Sequence, residues 1–401
     1  MNATRQDDLD QVEIELRRWL EASGYVSWDP YDGLACAAPW SLVRRNRLTA
    51  RMWTQLVKRS PVNLRPLFGI RPRLQSRSLS DLASAALLRH RAGIDPGALA
   101  AAHDLLGRLR AAALPGWSGA CWGLATPYVT RYIDSRAGDP NLFWTLGAAA
   151  TFMEAWELER RAEDLALARS AVDFISKDLG WVDEGEVGVW FKYFVGHDAT
   201  VYNVAALAGA LLQRVARNTG EADLGELGGR ALRFVARHQN DDGSWFYARG
   251  PRGRWVDGFH TGYILEALLE AVHRDGDAAL EAALRRGADF YTRALFTSDD
   301  VPRYATDHLY PLDVQNCAQA IQTLTRLSNL DAAHVERAER VARAVVARLY
   351  RRTRNGPEAT GYFIASRGRW TSNRLPYVRW GEAPMLRAIT TLLAARRGLR
   401  P

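Results

Sequence analysis

With 401 residues, 47% hydrophobic and 24% charged, the chain can bury a large core, and no run reaches the ~18 apolar residues needed to cross a bilayer. The net charge of +8 comes from 53 basic residues, all but Lys58, Lys177 and Lys192 arginine, scattered among acids without a basic block; nucleic acid is not an expected partner. Cys36, Cys121 and Cys317 are too widely spaced for a zinc pattern or a disulfide framework, and Arg5, Asp7, Asp8 and Asp10 do not fit a secretory signal. A cytoplasmic protein without metal or cofactor is expected. The 14 tryptophans, many beside Gly, Asp or Arg, suit loop anchoring or a carbohydrate surface.

Residues 7–22 read as an amphipathic helix, with Leu9, Val12, Ile14, Leu16, Trp19 and Leu20 broadly on one side, stopped at Ser23-Gly24. The turn Trp28-Asp29-Pro30-Tyr31-Asp32-Gly33-Leu34 follows, then a helix over 48–58 and a Pro- and Arg-rich segment over 61–77. From about residue 80 helices are predicted near 80–91, 96–113, 142–157, 162–178, 200–217, 221–238, 258–273, 277–294, 313–327, 332–350 and 381–396. Alternation in 187–193 and 361–364 allows short β-hairpins.

One set of helices begins near 142, 200, 258, 313 and 381, so a helical hairpin recurs about every 60 residues. These helices are small and apolar on most sides, as in Ala205-Ala206-Leu207-Ala208-Gly209-Ala210, which marks them as buried. Their partners, such as Glu221 to Arg237 and Ala332 to Arg348, carry charge on one face and belong outside. The expected fold is therefore all-α, an (α/α) toroid of about six hairpins with short β-hairpin turns. Residues 1–401 would form one domain, with 1–77 as a lead-in packed on the repeats of 78–401. An open solenoid would instead need two-faced helices in both sets.

If the inner helices run parallel, their starts share one rim, where free N–H groups and helix dipoles favour anionic groups. Polar residues recur there three apart, on one face: Asp257 with His260, Asp313 with Asn316, Arg379 with Glu382. His197, Tyr202 and Asn203 fall at the same stage of another unit, and Tyr128, Arg131 and Asp134 in the lead-in of the first. Trp245, Tyr247, Tyr263, Tyr310, Tyr377 and Trp380 are candidate walls. Asp257, His260, Asp313 and Glu382 are the candidate catalytic groups, with Asp257 or His260 moving a proton and Arg379 meeting an anionic group. Helix capping alone explains an Asp at such a start; it explains His260 and Glu382 least.

Gln239-Asn240-Asp241-Asp242-Gly243-Ser244-Trp245, then Trp255-Val256-Asp257-Gly258-Phe259-His260-Thr261-Gly262-Tyr263, resembles a family of bacterial exopolysaccharide-biosynthesis proteins. Tyr310-Pro311-Leu312-Asp313 with Cys317-Ala318-Gln319, Pro376 to Gly381, Trp28 to Leu34 and Lys58 to Arg65 extend the resemblance over about residues 25–395. It implies an α/α toroid akin to six-hairpin glycosidases and terpenoid cyclases, and a link to extracellular polysaccharide synthesis. Gly258 departs from the family, which has Asn there. The expected activity is hydrolysis, elimination or epimerisation of a glycan, neutral or uronate-bearing. A cyclase acting on an isoprenoid and a non-catalytic glycan-binding scaffold are the alternatives.

Overall fold

A computed structural model describes residues 9–37, 40–60, 62–130, 134–196, 198–355 and 358–399. Five consecutive helical hairpins account for most of the chain: α4 (Ser76–Arg91) with α5 (Ala98–Ala111), α6 (Leu142–Glu159) with α7 (Ala162–Asp173), α8 (Tyr202–Thr219) with α9 (Ala222–Arg237), α10 (Gly258–Asp275) with α11 (Ala278–Ala294), and α12 (Val314–Leu327) with α13 (Ala333–Leu349). The sixth is made from the two ends of the chain, because α1 (Leu9–Ala22) packs on α14 (Ala383–Arg396).

The first member of each consecutive hairpin, together with α14, forms an inner ring. Each helix touches the next, from α4 through α6, α8, α10 and α12 to α14, and α14 returns to α4. That closure makes the fold an (α/α)6 toroid rather than a solenoid. Ring closure buries the inner helices nearly all round. In α12 every residue except Arg326 is buried, whereas α9 buries only the Gly228, Ala231, Leu232 and Val235 side of its surface and its neighbours.

Short turns join inner to outer helices; Gly220 and Gly276 take positive φ of 78° and 66° there, a backbone that only glycine adopts without strain. The longer linkers therefore return to the opposite end, the N-terminal rim of the inner ring. Short strands in these linkers pair antiparallel, among them β1 (Trp181–Asp183) with β2 (Val189–Phe191) and β3 (Tyr350–Asn355) with β4 (Glu358–Phe363). Asn141, Asp257 and Asp313 cap α6, α10 and α12 by accepting first-turn N–H groups.

Between α1 and α4, the chain passes through α2 (Trp40–Val43) and α3 (Arg47–Arg59), held by a buried charge quartet. Arg65 donates to Asp32 at 2.7 Å and to the Asp29 carbonyl at 2.8 Å, while Arg379 grips both oxygens of Asp29 from just before α14. All four side chains are at most 5% exposed. The quartet fixes the Trp28–Leu34 turn against the rim.

Candidate active site

Asp257 and His260 sit at the first turn of α10. One carboxylate oxygen of Asp257 accepts the His260 backbone N–H at 2.7 Å, and the carboxylate lies 2.7 and 2.9 Å from His260 Nδ1. Trp255 Nε1 donates to the second oxygen at 2.9 Å. Burial by itself would raise the Asp257 pKa, but His260, Trp255 and the amide together hold it below the ordinary value. The imidazole is thus fixed through Nδ1, its side chain is 23% exposed, and its Nε2 edge has no hydrogen bond among the described residues. Tyr247, stacked on Trp255 at 4.4 Å, meets the imidazole edge-on at 4.5 Å.

Asp313 holds the corresponding place on α12. It accepts the amides of Gln315 and Asn316 at 3.0 and 3.2 Å and Trp380 Nε1 at 3.0 and 3.2 Å. Its pKa is raised because burial outweighs those donors and the nearby Lys58. Lys58, from the last turn of α3, reaches over the rim: Nζ lies 2.7 Å from the Tyr31 hydroxyl, 4.1 Å from the Tyr31 ring centre and 5.4 Å from that of Trp380. Burial pulls its pKa down to about 8, against the pull of Asp313 and Asp29. Tyr304, 36% exposed and 5.5 Å from the His308 ring, has its phenol pKa raised by burial and by the charges of Asp313 and Asp257.

These groups share an unbroken aromatic surface. Ring centres run from Tyr247 to His260 at 4.5 Å, to Phe259 at 4.7 Å, to Trp380 at 6.4 Å, to Tyr31 at 5.4 Å and to Tyr128 at 5.1 Å. The expected Asp257, His260, Asp313, Tyr128, Tyr247 and Trp380 are thereby brought together. Tyr31, Lys58, Tyr304 and Asp29 also belong here and were missed as site residues. Lys58 had a weak signal, as one of three lysines in a chain that otherwise uses arginine, where size or titration can matter.

Other expected residues lie elsewhere or are already engaged. Arg379 does not face an open anion site, because Asp29 occupies its guanidinium at 5% exposure. Glu382 is fully buried; Oε2 accepts the Phe363 N–H at 2.9 Å, and Oε1 has no partner among the described residues. Both sit in a π-helical turn, Val378–Glu382, whose wider winding breaks the three-apart alignment an α-helix would give. Trp245 is packed against Gly287, with Nε1 donating to the Val235 carbonyl at 2.9 Å, and serves as a clamp between α9 and α11. Gln239 reinforces that clamp by donating to the Ala283 carbonyl at 2.9 Å.

Tyr202 packs on Phe234 and His238, and Tyr377 is 1% exposed with its hydroxyl taken by Asn373 at 3.1 Å. Asp134 is exposed and pairs with Arg44 and Arg47. Tyr310 is 44% exposed, and Asn203 is buried with Oδ1 unpartnered among the described residues. Tyr263 lines the axis deeper than the rim. Asn316 donates to the Arg303 carbonyl at 2.9 Å, and its Oδ1 lies 2.8 Å from where a Cβ on residue 258 would stand, which accounts for Gly258. His197 and Arg131 lie outside the described residues. Among the described residues no His, Cys, Asp and Glu group could hold a metal ion, and no helix is long and apolar enough to cross a membrane.

No protein-family model matches the chain, and no curated protein matches it in sequence. Solved structures do. Cellobiose 2-epimerase from Bacillus thermoamylovorans aligns with a TM-score of 0.62 at 11% identity, over 80% of this chain and 88% of its own. The GH76 α-mannanase of Bacteroides thetaiotaomicron gives 0.61 at 12%, over 81% and 87%. An unsaturated glucuronyl hydrolase specific for heparin gives 0.62 at 9%, over 97% of each chain. At these identities the likeness is one of fold: the chain is similar to six-hairpin toroid proteins.

Proposed function

We propose that the protein is a carbohydrate-active enzyme of polysaccharide biosynthesis or modification, which abstracts a proton from a uronate-bearing glycan at the N-terminal rim. The observation that carries this reading is the Asp257-held imidazole on an aromatic floor, with an Nε2 edge that has no hydrogen bond among the described residues. Asp257 fixes the tautomer and steadies the imidazolium that forms when Nε2 takes the proton. A sugar ring would rest on the faces of Tyr247, Phe259 and Trp380. Lys58 supplies the cation beside which a carboxylate, and the charge that develops on it, is stabilised. Asp313, its carboxyl biased toward the neutral form by burial, is the acid.

Two outcomes follow from one abstraction. In epimerisation the proton lost to His260 is replaced on the opposite face by one from an acid. In elimination the electron pair forms a carbon–carbon double bond, and the acid protonates the departing glycosidic oxygen. Hydrolysis needs two carboxylates flanking the bond, and the paired Asp and His make proton abstraction the better fit. The names of the structural neighbours, an epimerase and a glucuronyl hydrolase among them, and the resemblance to exopolysaccharide-biosynthesis proteins support a glycan substrate. The charged rim lends no support to an isoprenoid cyclase.

The test is incubation of the purified protein with uronate-containing and neutral oligosaccharides in deuterated buffer. Deuterium at one sugar carbon, or an unsaturated uronate seen by its ultraviolet absorbance, is expected with the uronates. Release of reducing ends by hydrolysis alone, or no product with glycan binding untouched in His260→Ala, would overturn the assignment.

A further inference from the structure

At the opposite end of the ring the axis opens into a cavity of about 560 Å3, continuous with a narrower axial space of about 90 Å3 that reaches Tyr263. The larger volume lies within the ~300–1,000 Å3 typical of small-molecule sites. Several of its titratable groups are paired with one another: Arg214 is bound fork-on by Glu157 at 2.9 and 2.7 Å, and Arg387 meets Glu154 at 3.0 Å. Such a wall can bind a ligand through the groups left over.

The charge of the wall narrows the ligand. Six arginines face four glutamates, a formal excess of two positive charges. Residues from the last turns of α4, α6, α8, α10 and α12 line the same space. Each helix C-terminus presents about half a negative charge, so the five together offset that excess. Neither a polyanion nor a cation gains from such a field; a neutral ligand with many hydroxyls loses nothing.

Two side chains leave hydrogen bonds for such a ligand. Glu270 on α10 and Arg326 on α12 approach their counter-charges, Arg214 and Glu266, only at 3.7 and 3.6 Å. Glu270 Oε1 and Arg326 Nε are buried atoms with no hydrogen-bond partner among the described residues, while the side chains as a whole remain 23% and 25% exposed to the cavity side. One needs a donor and the other an acceptor, and a sugar hydroxyl is both. Leu87, Leu88, Leu158 and Leu269 supply apolar wall for the C–H face of a ring.

We propose that this cavity is a second site, which binds a neutral monosaccharide or disaccharide and takes no part in the rim chemistry. Because it is a claim about binding, it stands or falls apart from the assignment at the rim. The test is isothermal titration and saturation-transfer NMR of the full chain with glucose, maltose and lactose, with digalacturonate as the charged comparator. At least one neutral sugar should bind at millimolar concentration or better, and digalacturonate should bind at this cavity at least about tenfold more weakly.

Asn329→Trp, at the cavity mouth, should lower neutral-sugar affinity about tenfold or more, and Glu270→Gln, which keeps the shape, about threefold or more. Affinity in His260→Ala should stay within about twofold of wild type. Circular dichroism and thermal melts establish folding, and Glu270→Gln carries the test if Asn329→Trp does not fold. Absence of binding by all three sugars, or affinity unchanged in every folded cavity variant, overturns the proposal.

Discussion

His260 Nδ1 lies 2.7 Å from Asp257 Oδ2, while the backbone N–H of the same histidine donates to Asp257 Oδ1 at 2.7 Å. One carboxylate thus caps the helix and orients the imidazole. The two duties separate in Asp257→Asn, because Asn caps a helix as well as Asp. Thermal stability should hold to within a few degrees, while turnover should fall about 10²-fold or more.

The same carboxylate gives an acid signature. Its folded pKa is held below the ordinary 3.8, so the stability it adds is present above that value and is lost as pH falls through the folded one. Urea unfolding of wild type and Asp257→Asn at a series of acid pH values should show this loss in wild type and a shallower decline in the variant. Parallel curves would mean that Asp257 is a cap alone.

Lys58 gives the alkaline counterpart. Its folded pKa of about 8 lies below the ordinary 10.5. Between those values the unfolded chain keeps a proton that the folded chain has released, so stability should rise with pH across that window. Lys58→Met should flatten the rise. Turnover should decline above about pH 8 in wild type, as the cation is lost, and Lys58→Arg should move that decline to higher pH because arginine stays charged. An unchanged alkaline limb in Lys58→Arg would remove Lys58 from the mechanism.

Arg379→Met separates two roles for one residue. The Arg379 ion pair ties Asp29 to the start of α14, with both side chains at most 5% exposed. Removing the arginine leaves the buried Asp29 carboxylate without its cation, held among the described residues only by the Tyr31 N–H at 2.9 Å, a loss of about 3–5 kcal/mol. Denaturant unfolding should show that loss. A variant with wild-type stability and a raised KM would instead make Arg379 a substrate ligand.

Glu382 is expected to be structural. Burial lifts its carboxyl well above the ordinary range, which favours the neutral form that Gln resembles in shape. Glu382→Gln should keep turnover within a few-fold of wild type. Glu382→Ala leaves the Phe363 N–H unpaired and should cost about 1–3 kcal/mol in unfolding experiments. A collapse of activity in Glu382→Gln at unchanged stability would restore it to the catalytic set.

The hairpin period was legible because apolar inner helices and charged outer ones differ in composition, and Asp257, Asp313 and Asn141 mark three inner starts by their capping chemistry. What the pattern hid was long-range. Leu9–Ala22 pairs with Ala383–Arg396 across the whole chain, so no local repeat reveals it as the sixth outer helix. Tyr31 and Lys58 meet only because the Asp29 and Asp32 quartet folds their segment onto the rim. Trp245 has the surroundings of a stacking platform in sequence, yet the missing side chain at Gly287 on a neighbouring helix opens the slot that buries it. The Arg379 and Glu382 pairing failed for a geometric reason: a π-helical turn does not keep residues three apart on one face.

The central claim is that His260 carries the proton in a reaction at the N-terminal rim. The most direct measurement is the turnover of a product-forming uronate oligosaccharide by wild type and by His260→Gln, with both proteins confirmed folded. The rate is predicted to fall by about 10²-fold or more in the variant while substrate affinity changes little. Equal rates within about twofold would contradict it.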